Sequence, residues 1–268
     1  MPRGDRAGWD KLLLGGRLFP ITSTWAFFND DTQACVDSFV SWRGRGIFER
    51  TGYRVTVRRI EGPTLEDLLL QLLPLTSGIT RKYLFLPTAA PQPWTAFVKN
   101  FWRGSDVISE MSAFAYRGVP GVSISEFPNN YDRTTNFGYW GQRKMEVTIP
   151  APGGGPDYEG HSLGVRVNDS ARWEMVGLGE PYPTPFPDPT DYTARRVPDR
   201  FTHEHLAQGA AHFGLRPFDE DFYAPQGWGI LVEDPEPRQP HWDDDITLDQ
   251  AQHNGKGHPR LGQWHGWQ

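Results

Sequence analysis

Six segments between Tyr53 and Phe127 follow one another in a fixed succession of hydrophobic periods, and this succession limits the fold more than any other feature of the chain. Tyr53–Ile60 (YRVTVRRI) alternates with period two and is rich in β-branched residues, as a strand does. Thr64-Leu-Glu-Asp67 supplies a cap and an acidic first turn for a helix running to Leu73, where Pro74 stops it. Lys82–Leu86 and Trp94–Val98 are compact apolar strands. Asp106 caps a helix with apolar positions at Val107, Met111, Phe114 and Ala115, and Val122–Phe127 is again a strand. The order β-α-β-β-α-β is the split pattern of ferredoxin-like folds, which predicts an antiparallel sheet with both helices on one face.

Elements on either side extend this core. Leu12–Phe28 reads as one or two strands, and Asp30, Asp31 and Thr32 offer an N-cap to a helix through about Val40. Tyr139–Ile149, the segment holding Leu163, Val165 and Val167, and Arg172–Val176 form a β-meander with a tight turn at Asn168-Asp169-Ser170. Thr202 caps a helix that closes at Gly214, and Trp228–Val232 is the last strand expected. The proline-rich stretch 180–192 cannot be helix or central strand, since proline lacks the donor. The fold class is therefore α+β, a mixed and mostly antiparallel sheet. Residues 1–10 are a flexible N-terminus, 11–232 a single domain, and 233–268 a disordered acidic tail containing His and Trp.

Composition then removes several classes of function. The single cysteine, Cys35, rules out a disulfide-stapled scaffold. The N-terminus has no apolar signal segment, and the longest apolar stretch, Leu68–Leu75, is far short of a membrane span, so the cytoplasm is the expected location. A net charge of −6 argues against general adhesion to nucleic acid. Arginine outnumbers lysine 22 to 5, which with abundant Gly, Ala and Pro suggests a GC-rich bacterial genome.

Motifs for chemistry are sparse. Cys35 lies mid-helix beside Ala34 and Val36, the setting of a small buried apolar residue rather than a nucleophile. His203, His205 and His212 lack the i,i+4 spacing of zinc-binding helices. The acidic runs 219–221 and 243–245 do not continue into a calcium loop. Nucleotide loops and serine elbows are missing, so no catalytic residue, metal ligand or cofactor is assigned. Arg3-Gly4-Asp5 and the Gly153–Gly155 run read as chance and as a hairpin connection.

Two signals remain. Six arginines crowd between Arg43 and Arg59, and on the strand Arg54, Thr56 and Arg58 share a face opposite Tyr53, Val55 and Val57. Such a face is either solvated, paired with the chain's own acids, or covered by an acidic partner. Eleven tryptophans and sixteen phenylalanines exceed what one core needs, and several lie in loops or the tail, including Trp42, Trp102, Trp242, Trp264 and Trp267. Trp and Arg are enriched at interface hot spots. Arg54, Arg58, Trp42 and Trp102 are thus the binding residues expected for a non-catalytic module that holds another protein, an inhibitor or immunity-type protein for example. An enzyme assembled from dispersed residues such as Asp219, Asp221 and His205 is the alternative. A nucleic-acid binder using the arginine strand is the third reading, disfavoured by the absence of stacking residues in the RNA-recognition pattern.

Overall fold

The computed structural model describes residues 9–43, 55–131, 134, 138–151, 158–178, 193–234 and 244–253. Along the chain the elements are β1 (Thr24–Asn29), α1 (Thr32–Arg43), β2 (Thr56–Glu61), α2 (Leu65–Leu70), β3 (Leu75–Thr76), β4 (Lys82–Pro87) and β5 (Trp94–Lys99). They continue with α3 (Ile108–Ala115), β6 (Gly121–Phe127), β7 (Gln142–Pro150), β8 (Tyr158–Val167), β9 (Trp173–Leu178), α4 (His203–His212), β10 (Trp228–Glu233), β11 (Asp245–Ile246) and α5 (Leu248–Gln252). Nine strands form one antiparallel sheet in the order β2-β10-β4-β5-β1-β6-β7-β8-β9, and β3 pairs with β11 beside it.

The central strands are continuous apolar runs, so both faces of the sheet need cover. Every residue of β5 is buried, as are five of the six residues of β1. Alternation along these strands sends Phe28, Phe85 and Phe97 to a cluster with Val36 and Phe39 of α1 and Met111 and Phe114 of α3. It sends Trp25, Phe27, Leu84 and Val98 to a second cluster with Leu68 and Leu69 of α2 and Leu206 and Ala210 of α4. The helices therefore lie on both faces, which corrects the expectation of a single helical face. Among the described residues no helix is long and apolar enough to cross a membrane.

The strand that opens the core also differs from expectation. The succession read over 53–127 puts β2 between β5 and β6. The structure puts β1 there, paired with both, and moves β2 to the sheet's edge. The reason is burial. β1 is TWAFFN, whereas β2 is TVRRIE, in which Ile60 alone is buried. Period-two alternation marks a strand but does not say how deeply it lies.

Local signals set most element boundaries. Asp31 Oδ1 accepts from the Ala34 N–H (2.9 Å) and starts α1, which runs on to Arg43. Thr64 and Asp67 form a reciprocal capping box, 3.1 Å in each direction, and α2 ends at Leu70. Thr202 caps α4, and Gly214 adopts φ +73° just beyond it. Asn168 Oδ1 accepts from Ser170 N–H and Arg172 N–H (3.1 Å each), closing the turn between β8 and β9.

Two regions depart from the reading. Upstream of β1, residues Trp9–Lys11, Leu13–Gly16 and Ile21–Ser23 are 3-10 turns rather than a strand. Leu14 there has φ +58°, which no strand residue adopts, yet Leu13, Leu14 and Ile21 are all buried. Downstream of β10, residues 244–253 are built onto the core instead of trailing from it. Ile246 and Ala251 are fully buried, and Tyr139 Oη donates to the Ala251 carbonyl at 2.6 Å. The expected tail is corrected for these ten residues. Residues 235–243 and 254–268, with Trp242, Trp264, Trp267, His241, His258 and His265, lie outside the described set, as do 1–8, 152–157 and 179–192.

Candidate functional site

Because β2 is outermost among the described strands, its side chains project where no further described strand packs. Thr56, Val57, Arg58 and Arg59 are all exposed, and in the nine-stranded sheet β2 pairs with β10 alone among the described residues. The register sets Arg58 opposite Leu231 and Arg59 opposite Ile230. Arg58 therefore shares a face with Ile60 on the α2 side, and Val57 and Arg59 occupy the α1 side.

On the α2 side Arg58 Nε donates to Glu233 Oε2 at 2.8 Å, with Lys82 Nζ 3.9 Å from the other carboxylate oxygen. The arginine is thus matched to an acid of its own chain, across an exposed pair worth at most about 1 kcal/mol. On the α1 side the Arg59 guanidinium lies 4.3 Å above the Trp228 ring, and Val57 is 44% exposed. An aromatic-backed cation beside an exposed aliphatic is a surface that another chain can cover.

Of the four binding residues read from the sequence, Arg58 alone stands on this edge among those described. Arg54 lies outside the described residues, with Arg45 and Arg50. Trp42 is half-buried at the end of α1, edge-on to Phe39 at 5.8 Å and 5.7 Å from the Arg43 guanidinium. Trp102 is a correction: it is 3% exposed and belongs to the core on the α2 side. Trp9, Trp25 and Trp94 are buried as well. A sheet covered on both faces has two large cores to fill, and that uses aromatics which a one-sided sheet would leave outside.

A cleft of about 330 Å³ opens at the Thr56 end of β2, lined by Arg81, Lys82, Asn100, Glu233, Asp234 and Asp245 among others. Of these the sequence reading singled out Asp245 alone, as part of the acidic run 243–245. Three cations and three carboxylates meet there once Arg58 is counted, so the cleft is charged but balanced. Much of its polarity serves the fold. Lys82 Nζ donates to the Gln71 carbonyl (3.0 Å) and to that of Leu73, covering the chain end of α2. Burial pulls the Lys82 pKa down, with the Glu233 charge acting against that shift. Asn100 Oδ1 accepts from the backbone of Arg81 (3.0 Å) and Lys82 (2.9 Å), and its Nδ2 donates to Pro74 O (3.0 Å).

The groups named in the enzyme reading have local partners. Arg216 Nη1 binds both Asp219 (3.1 Å) and Asp221 (3.2 Å), while the His205 ring accepts from the Thr202 N–H (3.2 Å) as part of the α4 cap. His203 pairs with Glu126 at 2.7 Å. Cys35 is fully buried, and burial pushes its thiol up to about 12. Among the described residues no three His, Cys, Asp or Glu side chains gather as a metal site. No protein-family model matches the chain, and neither does any curated protein or solved structure.

Proposed function

We propose that the chain is a cytoplasmic, non-catalytic protein-binding module, of the kind that occupies a partner as an inhibitor or immunity protein does. It takes an extended segment of that partner along β2 as an added strand. One observation carries this reading: among the described residues β2 is the outermost strand, and its four leading residues are exposed. Edge strands offer a row of backbone donors and acceptors for pairing, and side chains on alternate faces then select the partner. Here Val57 and Arg59 on one face and Arg58 on the other favour apolar and acidic residues. The succession β1-α1-β4-β5-α3-β6, with β2, α2 and β3 inserted after α1, and the strand order β4-β5-β1-β6 support reading the centre as a ferredoxin-like unit. On that reading β10 and β2 are an extension whose outer rim is the interface.

Consecutive residues of an edge strand point their N–H groups alternately inward and outward. One of the substitutions Val57→Pro and Arg58→Pro therefore removes a bond to β10, and the other removes only an outward donor. The tolerated variant should keep the native melting midpoint yet lose the protein that the wild type captures from extracts of its own cells. Glu174→Lys on β9, at the opposite edge, should retain it. Equal capture by wild type and the tolerated proline variant would refute strand addition at β2.

A further inference from the structure

A second cavity, of about 270 Å³, lies over β6 and β7 beside α3, with four strands between it and β2. Most polar groups on its walls satisfy one another. Thr24 and Ser125 share a hydrogen bond of 3.1 Å. Lys144 pairs with Glu146 at 3.1 Å, and Ser123 donates to the same carboxylate at 3.1 Å. Asp106 at the rim is exposed, and its Oδ1 accepts from the Ile108 N–H at 3.2 Å.

Arg103 breaks this pattern. Its guanidinium lies 4.6 Å from the Trp102 ring, and its Nε is buried with no hydrogen-bond partner. It forms no ion pair with the described residues. Burial lowers its pKa, opposed only by Tyr139 and Tyr131, and burial also keeps the Tyr139 hydroxyl protonated. Withdrawing a cation from water without a carboxylate beside it is costly. Lys99, deeper in the same face, is by contrast held by Glu110 at 3.0 Å. The backbone following Arg103 is fixed too, since Gly104 has φ +89° and a Cβ there would lie 2.3 Å from Ser23 Oγ.

We propose that this cavity binds a small ligand through an oxyanion, a phosphate or carboxylate group, with Arg103 as the principal contact. The guanidinium fork suits a planar or tetrahedral oxyanion in two-point contact. Trp102 behind it holds the fork in one plane. Lys144 neutralises Glu146, so that carboxylate does not face the anion as a bare charge. The ligand supplies the negative charge that the described residues do not place beside Arg103.

The test is thermal melting of the full chain with sodium phosphate or sodium acetate, each against sodium chloride at matched ionic strength. Millimolar binding raises the wild-type midpoint by about 3–6 °C at tenfold excess over Kd. Phosphate also stabilises proteins by exclusion from their surfaces, so the response must vanish in Arg103→Met. That variant should melt at or above the ligand-free wild type, because it removes a half-buried charge that no carboxylate among the described residues offsets. Arg103→Lys keeps the cation but loses the fork, and should need at least about tenfold more anion for the same shift. A response to phosphate alone or to acetate alone assigns the group, and a response to both supports the shared chemistry. No response of the wild type to either anion beyond chloride overturns the proposal, and so does an equal response in Arg103→Met. Loss of ligand-free stability in Arg103→Met, with no anion response in the wild type, would make Arg103 a packing partner of Trp102.

Discussion

Replacing Ile246 by alanine tests whether residues 244–253 belong to the folded unit. Ile246 is fully buried in β11, opposite Leu75 of β3, and joins the cluster that holds Leu68, Leu72 and Trp102. Truncating a buried isoleucine to alanine costs about 2–5 kcal/mol, and a two-residue strand can relax, so a loss of about 2–3 kcal/mol is expected. At about 2–4 °C per kcal/mol for a chain of this size, the melting midpoint should fall by roughly 4–12 °C. Ending the chain after residue 243 should lower it further. That deletion also removes the Ala251 carbonyl bonded to the buried Tyr139 hydroxyl (2.6 Å) and the Gln252 amide bonded to Arg17 O (2.7 Å). An unsatisfied buried hydroxyl alone costs about 1–3 kcal/mol. Circular dichroism melts of the three proteins, repeated in urea, give the comparison. If both variants unfold within about 1 °C of the full chain, the segment is not docked in solution and the reasoning fails.

Cys35 should resist thiol reagents at pH 8 in the native protein and react fully once the chain is unfolded, because burial pushes its pKa up to about 12. A folded pKa above the unfolded one gives stability that is complete below the ordinary thiol range and lost as pH rises towards 12. Cys35→Ala should cost about 1–2 kcal/mol and remove that alkaline component, as urea titrations at pH 8 and pH 10 would show. Glu204 is held down at about 2, first by the Lys11 hydrogen bond (2.6 Å) and then by its own backbone. Its contribution, small because the pair is exposed, should be present above the usual carboxylate range and fade as pH falls towards 2. Lys11→Met should return the Glu204 carboxyl towards that range in a carbon-detected NMR titration.

What the sequence disclosed was local. Caps and turns at Thr64, Thr202, Asn168 and Gly214 were legible because a few adjacent residues decide them. Which strand lies in the middle depends on pairings between distant residues, and β1 displaced β2 because of the burial of the whole β1 sequence rather than any periodicity. The docking of 244–253 did have a signal. Thr247-Leu-Asp-Gln250 is a capping-box pattern, and Thr247 N–H and Gln250 N–H both use it, at 2.9 and 3.2 Å. Too few aliphatics surround it for hydrophobic periodicity to register. Arg103 and the cleft around Lys82 could not be read in advance, because a missing partner or a shared cavity is a property of the assembled chain.

The place of β10 has a consequence for synthesis. It is tenth among the strands in the chain yet second in the sheet, seated between β2 and β4. Arg59 meets Ile230, and Phe85 meets Ile230 from the other side, across most of the length of the chain. Until residues 228–233 leave the ribosome, β4 presents a bare edge of Tyr83, Leu84 and Phe85, and β2 has no neighbour in the sheet. Pairings so distant in sequence are slow to close, and apolar edges are where nascent chains associate. A chain stalled before Trp228 is therefore the form most exposed to aggregation, and chaperone engagement should be greatest at that length.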